Sequence, residues 1–231
     1  MTPAEAQLND RLQQTRQAMT DLAATHDRQT SEIKLLAVSK MQAADQLRMA
    51  FNFGQVAFGE NYLQEALDKQ QKLSDLDIEW HFIGPIQSNK TRDISAHFSW
   101  VHSVDRLKVA KRLSTQRPAE LPPLNICLQV NIDGEVSKSG VAPDDIMALA
   151  NEIEALPMLK LRGLMAIPAP KVSFEEQFET FQRVRDIMVK VPTMDTLSMG
   201  MSADMAAAIA AGSTIVRVGT AIFGKREAKT T

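Results

Sequence analysis

One cysteine, Cys127, and one tyrosine, Tyr62, are all that this 231-residue chain has of either. A lone cysteine closes no intramolecular disulfide, which excludes a disulfide-stapled scaffold and points to a reducing compartment. His26, His97 and His102 show no metal-ligand spacing with one another or with Cys127, so no zinc site is expected. Aromatic residues make up 5% and the net charge is -2. Neither a basic aromatic stripe nor a global field therefore draws the chain to nucleic acid or an anionic membrane. No apolar run approaches the length of a membrane helix. Met1 to Asp10 is polar, with no apolar segment of a signal peptide behind it. A cytoplasmic location is the expectation.

What is present is a regular alternation over a length that suits one domain. Pro3 to His26 carries Leu8, Leu12, Met19 and Leu22 at roughly helical spacing and reads as an amphipathic helix ahead of the main fold. Strands are then expected at Ile33–Val38, Gln55–Phe58, Glu79–Ile83, Trp100–Val104, Leu124–Val130, Leu159–Ile167, Asp195–Met199 and Thr214–Val218. Helices are expected between them: Ala43–Phe53, Tyr62–Leu73, Ser88–His97, one capped by Asp105 and ending near Gln116, one opened by Pro143 and reaching Leu156, Phe174–Lys190, and Ala203–Ala211. Ser173 and Glu176 form a capping box for the helix at Phe174. Strands and helices in strict alternation predict an α/β fold, a single (β/α)8 TIM-like barrel over 1–231 with an extra N-terminal helix. An open doubly wound sheet is the alternative. The tail after Gly224 is too short for a full eighth outer helix, so the N-terminal helix is expected to cover that part of the barrel.

A (β/α) barrel carries its site at the C-terminal ends of its strands. Those ends read Ser39-Lys40, Gly59-Glu60-Asn61, Gly84-Pro85, His102-Ser103, Asn131, Ala166-Ile167-Pro168, Gly200-Met201-Ser202 and Gly219-Thr220. Lys40 follows the apolar run Leu35 to Val38. Taken alone it reads as the first solvated residue after a strand. A packed stem and a partly desolvated amine would instead lower its pKa and make it a nucleophile toward carbonyls.

The last two strand ends shift that balance. Gly200-Met201-Ser202 is a glycine turn followed by a hydroxyl N-cap at a helix start, where backbone N–H groups and the dipole favour an anion. Val218-Gly219-Thr220 adds a second glycine and a second hydroxyl. Phosphate sites in this architecture are often built from the loops after strands seven and eight. Arg217, in the eighth strand, is costly there without a partner. It can bridge to a carboxylate such as Glu60 or meet the ring nitrogen of a bound pyridine, which it would leave unprotonated because it donates only. His81 reads as a satisfied core histidine. Lys90 and Arg92 read as a solvated helix start, Lys138 as a surface charge or an anion contact, and Met199, Met201 and Met205 as packing.

Long segments in one order resemble the pyridoxal phosphate homeostasis proteins (the YggS/PROSC family). They include Leu35-Leu36-Ala37-Val38-Ser39-Lys40, Phe58-Gly59-Glu60-Asn61-Tyr62, Trp80-His81-Phe82-Ile83-Gly84-Pro85-Ile86-Gln87-Ser88-Asn89-Lys90, Ser137-Lys138-Ser139-Gly140, Leu197-Ser198-Met199-Gly200-Met201-Ser202 and Val216-Arg217-Val218-Gly219-Thr220. The resemblance implies a barrel like the N-terminal domain of alanine racemase and the cofactor pyridoxal 5′-phosphate. It implies Lys40 as the Schiff-base lysine, with Ser202, Gly219 and Thr220 at the phosphate and Arg217 at the pyridine nitrogen. Asn61 would be a pocket residue and Lys138 a second, weaker cofactor-handling lysine. The stretch between Phe181 and Asp195 is shorter than in many family members, which bears on the helix there.

The family is regarded as cofactor carriers without an established reaction. The sequence suggests the same, since a racemase of this fold takes a catalytic tyrosine from a second domain and Tyr62 here begins a helix. The expected role is a binding protein in intracellular vitamin B6 and amino-acid homeostasis, serving apo-enzymes that need the cofactor, with no nucleic-acid or membrane partner. A closed barrel suits a monomer or a weak homodimer. The rivals are a weak amino-acid racemase with its acid from Lys90 or a partner subunit, and a cofactor-free Schiff-base aldolase acting through Lys40.

Overall fold

The computed structural model describes residues 1–135 and 139–224. The chain opens with helix α1 (Pro3–Thr25). It then alternates β1 (Lys34–Val38), α2 (Ala44–Asn52), β2 (Ala57–Glu60), α3 (Leu63–Lys72), β3 (Glu79–Phe82), α4 (Thr91–His97), β4 (Trp100–Val104) and α5 (Leu107–Gln116). The second half runs β5 (Leu124–Val130), α6 (Ile146–Glu154), β6 (Leu159–Ala166), α7 (Phe174–Met188), β7 (Thr196–Ser198), α8 (Met205–Ala210), β8 (Ile215–Val218) and α9 (Thr220–Phe223). The eight strands close into one barrel in sequence order. Every pair is parallel, and β1 meets β8 with Ala37 opposite Val218. Closure removes the sheet edges and rules out the open-sheet alternative.

Alternation along each strand divides the core in two. Outward-facing residues such as Leu35, Phe58, Val101 and Leu128 pack under the helices. A smaller cluster of Leu36, Ala57, Trp100, Cys127, Met165 and Ile215 fills the barrel itself.

Helix α1 begins on a capping box, with the Thr2 hydroxyl accepting from Glu5 N–H and Glu5 returning to Thr2 N–H. It buries Leu8, Leu12 and Met19, each worth about 1.5–3 kcal/mol when fully removed from water. Arg11 Nε donates to the Ile222 carbonyl at 2.9 Å and Arg16 Nη1 to that of Phe53 at 2.8 Å. The N-terminal helix thus covers the short α9, where a full outer helix is missing from the described residues.

Several boundaries differ from the sequence reading. The second strand starts at Ala57, not Gln55. Gln55 is buried, and its amide donates to the carbonyls of Leu35 and Ala57, while Val56 points to solvent. Asp105 is not an N-cap: α5 starts one residue later than that cap requires, after Arg106, whose Nη1 pairs with the Asp105 carboxylate. Tight 3-10 turns at Ser88–Lys90 and Pro143–Asp145 precede α4 and α6. Helix α7 carries the Ser173 capping box and ends at Met188, short of Lys190.

Candidate functional site

The C-terminal mouth of the barrel holds a cavity of about 330 Å³ whose walls include Lys40, Asn61, Ser202, Arg217, Gly219 and Thr220. The apolar side of the same cavity is Val38, Ile83, Met165, Ile167 and Met201. Polar groups converging on a mostly apolar hollow are what a small organic anion requires. Lys138 lies outside the described residues.

Lys40 stands two residues beyond the end of β1, half-buried. The chain on either side of it is pinned. Lys69 Nζ, from α3, donates to the Ser39 carbonyl at 2.7 Å, and the Met41 N–H donates to Glu65 Oε1 at 2.5 Å. Lys69 Nζ also pairs with Glu65 at 2.6 Å and with the buried Glu60 at 2.7 Å, and the Ser39 hydroxyl donates to Glu60 at 2.6 Å. Burial pushes the Glu60 carboxyl above its usual value, against the pull of Lys69 and Ser39. Met41, whose N–H is held in this clamp, takes the left-handed conformation at φ +63°.

Arg217 lies inside β8 and is 4% exposed. Its Nη1 donates to the Ser198 carbonyl and to Ser198 Oγ, and its Nη2 to the Ala166 carbonyl at 2.8 Å. The expected alternative of a bridge to Glu60 does not form, because Lys69 already holds that carboxylate. Burial lowers the Arg217 pKa to about 10, partly opposed by Asp204 and Cys127, so the guanidinium stays charged at neutral pH. Both Nη atoms are engaged with β6 and β7, which leaves Nε–H and the second Nη2–H as donors without a bond among the described residues.

Ser202 lines the cavity but does not cap a helix. It sits in an exposed turn, and α8 starts only at Met205 and spans 6 residues. Asp204 organises that turn instead, its Oδ1 accepting from Met201 N–H at 2.5 Å. The anion-binding argument therefore passes from a helix dipole to the turn itself and its hydroxyl. Gly200 makes the turn possible: its φ is +94°, and a Cβ there would meet the Ala208 Cβ at 2.5 Å. On the facing wall a Cβ on Gly219 would come within 3.1 Å of the Val38 carbonyl, so the backbone at Gly219 closes tightly on β1.

The cavity fits pyridoxal 5′-phosphate on its own chemistry. Among the described residues Asn61 Oδ1 is buried without a hydrogen-bond partner, an unsatisfied state that costs about 1–3 kcal/mol and that a polar ligand relieves. An arginine donor, two hydroxyls, a tight glycine wall and a lysine share the same space.

A second hollow, of about 510 Å³, opens at the opposite end of the barrel beside Lys34, Trp100, Arg162 and Asp195. Its charges satisfy one another: Arg162 pairs with Asp195 and Lys34 with Glu79. Lys90, exposed in its turn, does not line the C-terminal cavity.

Sequence reasoning missed the clamp of Lys69 and Glu65 and the groups beneath Arg217. Lys69 carried a signal, since it falls on the buried face of α3 four residues after Glu65.

The family model described as "Alanine racemase, N-terminal domain" matches residues 11–227. The chain is 58% identical over 208 residues to the pyridoxal phosphate homeostasis protein of Pseudomonas aeruginosa, covering 90% of each. It is 50% identical over 223 residues to that of Escherichia coli, covering 94% of this chain and 95% of the other. Among solved structures, PipY of Synechococcus elongatus with PLP bound superposes with a TM-score of 0.80 at 35% identity, over 94% of this chain and 100% of that one. An alanine racemase of Clostridium difficile shares the fold at a TM-score of 0.74 and 13% identity, over 95% of this chain and 58% of that one. Family match, relatives and barrel agree: the chain belongs to the alanine racemase N-terminal domain family and, within it, to the pyridoxal phosphate homeostasis proteins.

Proposed function

We propose that this chain binds pyridoxal 5′-phosphate through Lys40 and serves as a cytoplasmic carrier in vitamin B6 and amino-acid homeostasis, handing the cofactor to apo-enzymes. The observation that carries the reading is one cavity bringing together Lys40, Asn61, Ser202, Arg217, Gly219 and Thr220. The relatives' printed names and the PLP-bound neighbour support it. The cofactor supplies an aldehyde whose carbon condenses reversibly with a primary amine, forming a Schiff base and releasing water.

Each protein group has one task in this reading. Lys40 supplies the amine, and the Lys69–Glu65 clamp fixes the backbone from which it projects. Ser202, Gly219 and Thr220 take the phosphate, and Asn61 takes a polar ring substituent. Arg217 donates to the ring nitrogen and withholds a proton from it, which keeps the ring a weak electron sink and favours storage over carbanion chemistry. Tyr62, 54% exposed at the start of α3, faces solvent and takes no part. Masking a reactive aldehyde in a reversible bond is chemistry enough for a carrier, and we assign no catalytic step.

The test is the visible absorption spectrum of the purified protein and of Lys40→Ala, before and after borohydride, with mass mapping of the reduced adduct. A visible band that borohydride removes, an adduct on Lys40 and no band in the variant are expected. A colourless protein that cannot be reconstituted would overturn the reading in favour of the aldolase. Racemisation of an amino acid that Lys40→Ala abolishes would favour the enzymatic one.

A further inference from the structure

A file of hydrogen-bonded side chains crosses the barrel interior from its N-terminal end to Arg217. Glu79 Oε1 lies 2.5 Å from His81 Nε2, and His81 Nδ1 lies 2.8 Å from His102 Nε2. His102 Nδ1 lies 2.8 Å from Ser198 Oγ, which accepts from Arg217 Nη1 at 2.8 Å. At the outer end Lys34 Nζ donates to Glu79 at 2.6 Å. His81, His102 and Ser198 are wholly buried, whereas the Lys34 and Glu79 side chains are 39% and 34% exposed.

The chemistry of the two ends sets one direction for the whole file. The Glu79 carboxylate only accepts, which puts the His81 proton on Nε2. Through His102 this calls on the Ser198 hydroxyl to donate to His102 Nδ1, while its lone pair accepts from Arg217, which has only donors. A neutral imidazole that accepts at Nδ1 carries its proton on Nε2, so His102 donates to His81 Nδ1. By the same rule His81 donates from Nε2 to the Glu79 carboxylate, which also receives Lys34. Every member is satisfied with both histidines neutral.

The surroundings favour that state. Burial lowers the His81 pKa against the raising effect of Glu79. It lowers His102 further, helped by the neighbouring His81 and by the charges of Arg217 on β8 and Lys34 on β1. Trp100 stacks on His81 at 5.4 Å, and Cys127 on β5 is uncharged at neutral pH. On Glu79, burial raises the carboxyl pKa, but His81 and Lys34 outweigh it and hold the value at about 2.

We infer that Ser198, His102 and His81 form a positioning relay for Arg217, anchored on the ion pair of Glu79 and Lys34 at the far end of the barrel. The relay fixes which lone pair of Ser198 meets the guanidinium, and through it the donor that Arg217 turns toward a pyridine ring. This rests on the proposed cofactor reading for its consequence and on the apo-protein geometry for its existence. A packing role alone would leave the tautomers of His81 and His102 unconstrained, whereas the file fixes both.

Two measurements test it separately. In ¹⁵N-resolved imidazole spectra of the apo-protein, His81 and His102 are both expected to be neutral and protonated at Nε2 at neutral pH. An Nδ1-protonated form of either, or an imidazolium, overturns the relay whether or not any cofactor binds. In titrations with pyridoxal 5′-phosphate, Ser198→Ala is expected to bind about tenfold more weakly and to move the wavelength or pH midpoint of the visible band. Glu79→Gln, at the half-exposed end, is expected to move the same midpoint with a smaller loss of affinity, and it serves should Ser198→Ala not fold. Wild-type affinity and an unmoved band in both variants sink the relay while leaving the cofactor reading intact. No band in the wild type sinks the cofactor reading, and the apo spectra then judge the relay alone.

Discussion

Lys69 Nζ donates to the main-chain carbonyl of Ser39 at 2.7 Å, so a side chain of α3 holds the residue immediately before Lys40. The same ammonium neutralises Glu60, whose side chain is fully buried. Lys69→Met is expected to leave the buried Glu60 carboxyl without its counter-ion and to cost about 3–5 kcal/mol of stability, as breaking a buried pair does. Adding Glu60→Gln to Lys69→Met is expected to recover much of that loss. Urea titrations of the single and double variants decide it, and equal losses in both would count against the pairing.

Gly219→Ala tests the cradle at a small cost to the fold. Its Cβ would come within 3.1 Å of the Val38 carbonyl, tight enough to push β8 and Thr220 away from β1. Affinity for pyridoxal 5′-phosphate is expected to fall several-fold, while the melting temperature shifts by only a few degrees, about what 1 kcal/mol gives. A variant that binds as well as the wild type would show that this wall is not part of the phosphate site.

Acid is expected to weaken the fold through the two inner histidines. Burial holds both His81 and His102 below the ordinary imidazole value of 6.5. As pH falls through that value the unfolded chain binds protons that the folded barrel refuses, so stability declines on acidification and is level above it. Thermal melts between about pH 5 and pH 8 should show the slope, and His102→Gln should flatten it. An unchanged slope in the variant would assign the acid sensitivity elsewhere.

Cys127 is wholly buried in the barrel and its thiol is pushed up to about 12 by that burial. The thiolate is the reactive form, so thiol reagents are expected to modify the native protein only as fast as it opens globally. Modification kinetics across a urea series check this. Rapid labelling in native buffer would show local opening of β5.

How much of this was legible in the amino acids depends on the range over which each feature acts. The alternation of apolar runs with helical segments displayed eight strands, and the capping box at Ser173 and Glu176 marked the start of α7, because both are local patterns. The second strand was set two residues early, since Gln55 is buried through amide bonds to carbonyls on two strands, which a polar residue does not announce. Ser202 looked like a helix cap because the competing Asp204 lies only two residues on. The contents of the barrel were the hardest to see. His81, His102, Ser198 and Arg217 come from four different strands and meet only after closure, although Glu79 and His81 do share one strand face by their spacing. Polar residues at two successive positions on one strand face, Glu79 and His81, are the trace that this interior leaves in the sequence.

Closure of the barrel also sets when the site can exist during synthesis. The last pairing to form in chain order is β1 with β8, where Ala37 lies opposite Val218. Lys40 continues from one strand of that seam, and Gly219 and Thr220 continue from the other. A nascent chain that has emerged only as far as β7 holds the lysine but lacks Arg217 and the wall that faces it. Lys34 and Ile215, opposite each other in the seam, lie far apart in the sequence, so the contact that completes the cavity is among the most non-local in the molecule and the slowest kind to find. On the proposed function, cofactor capture therefore waits until β8 and Thr220 have been made, and a product stalled before them lacks that wall of the cavity.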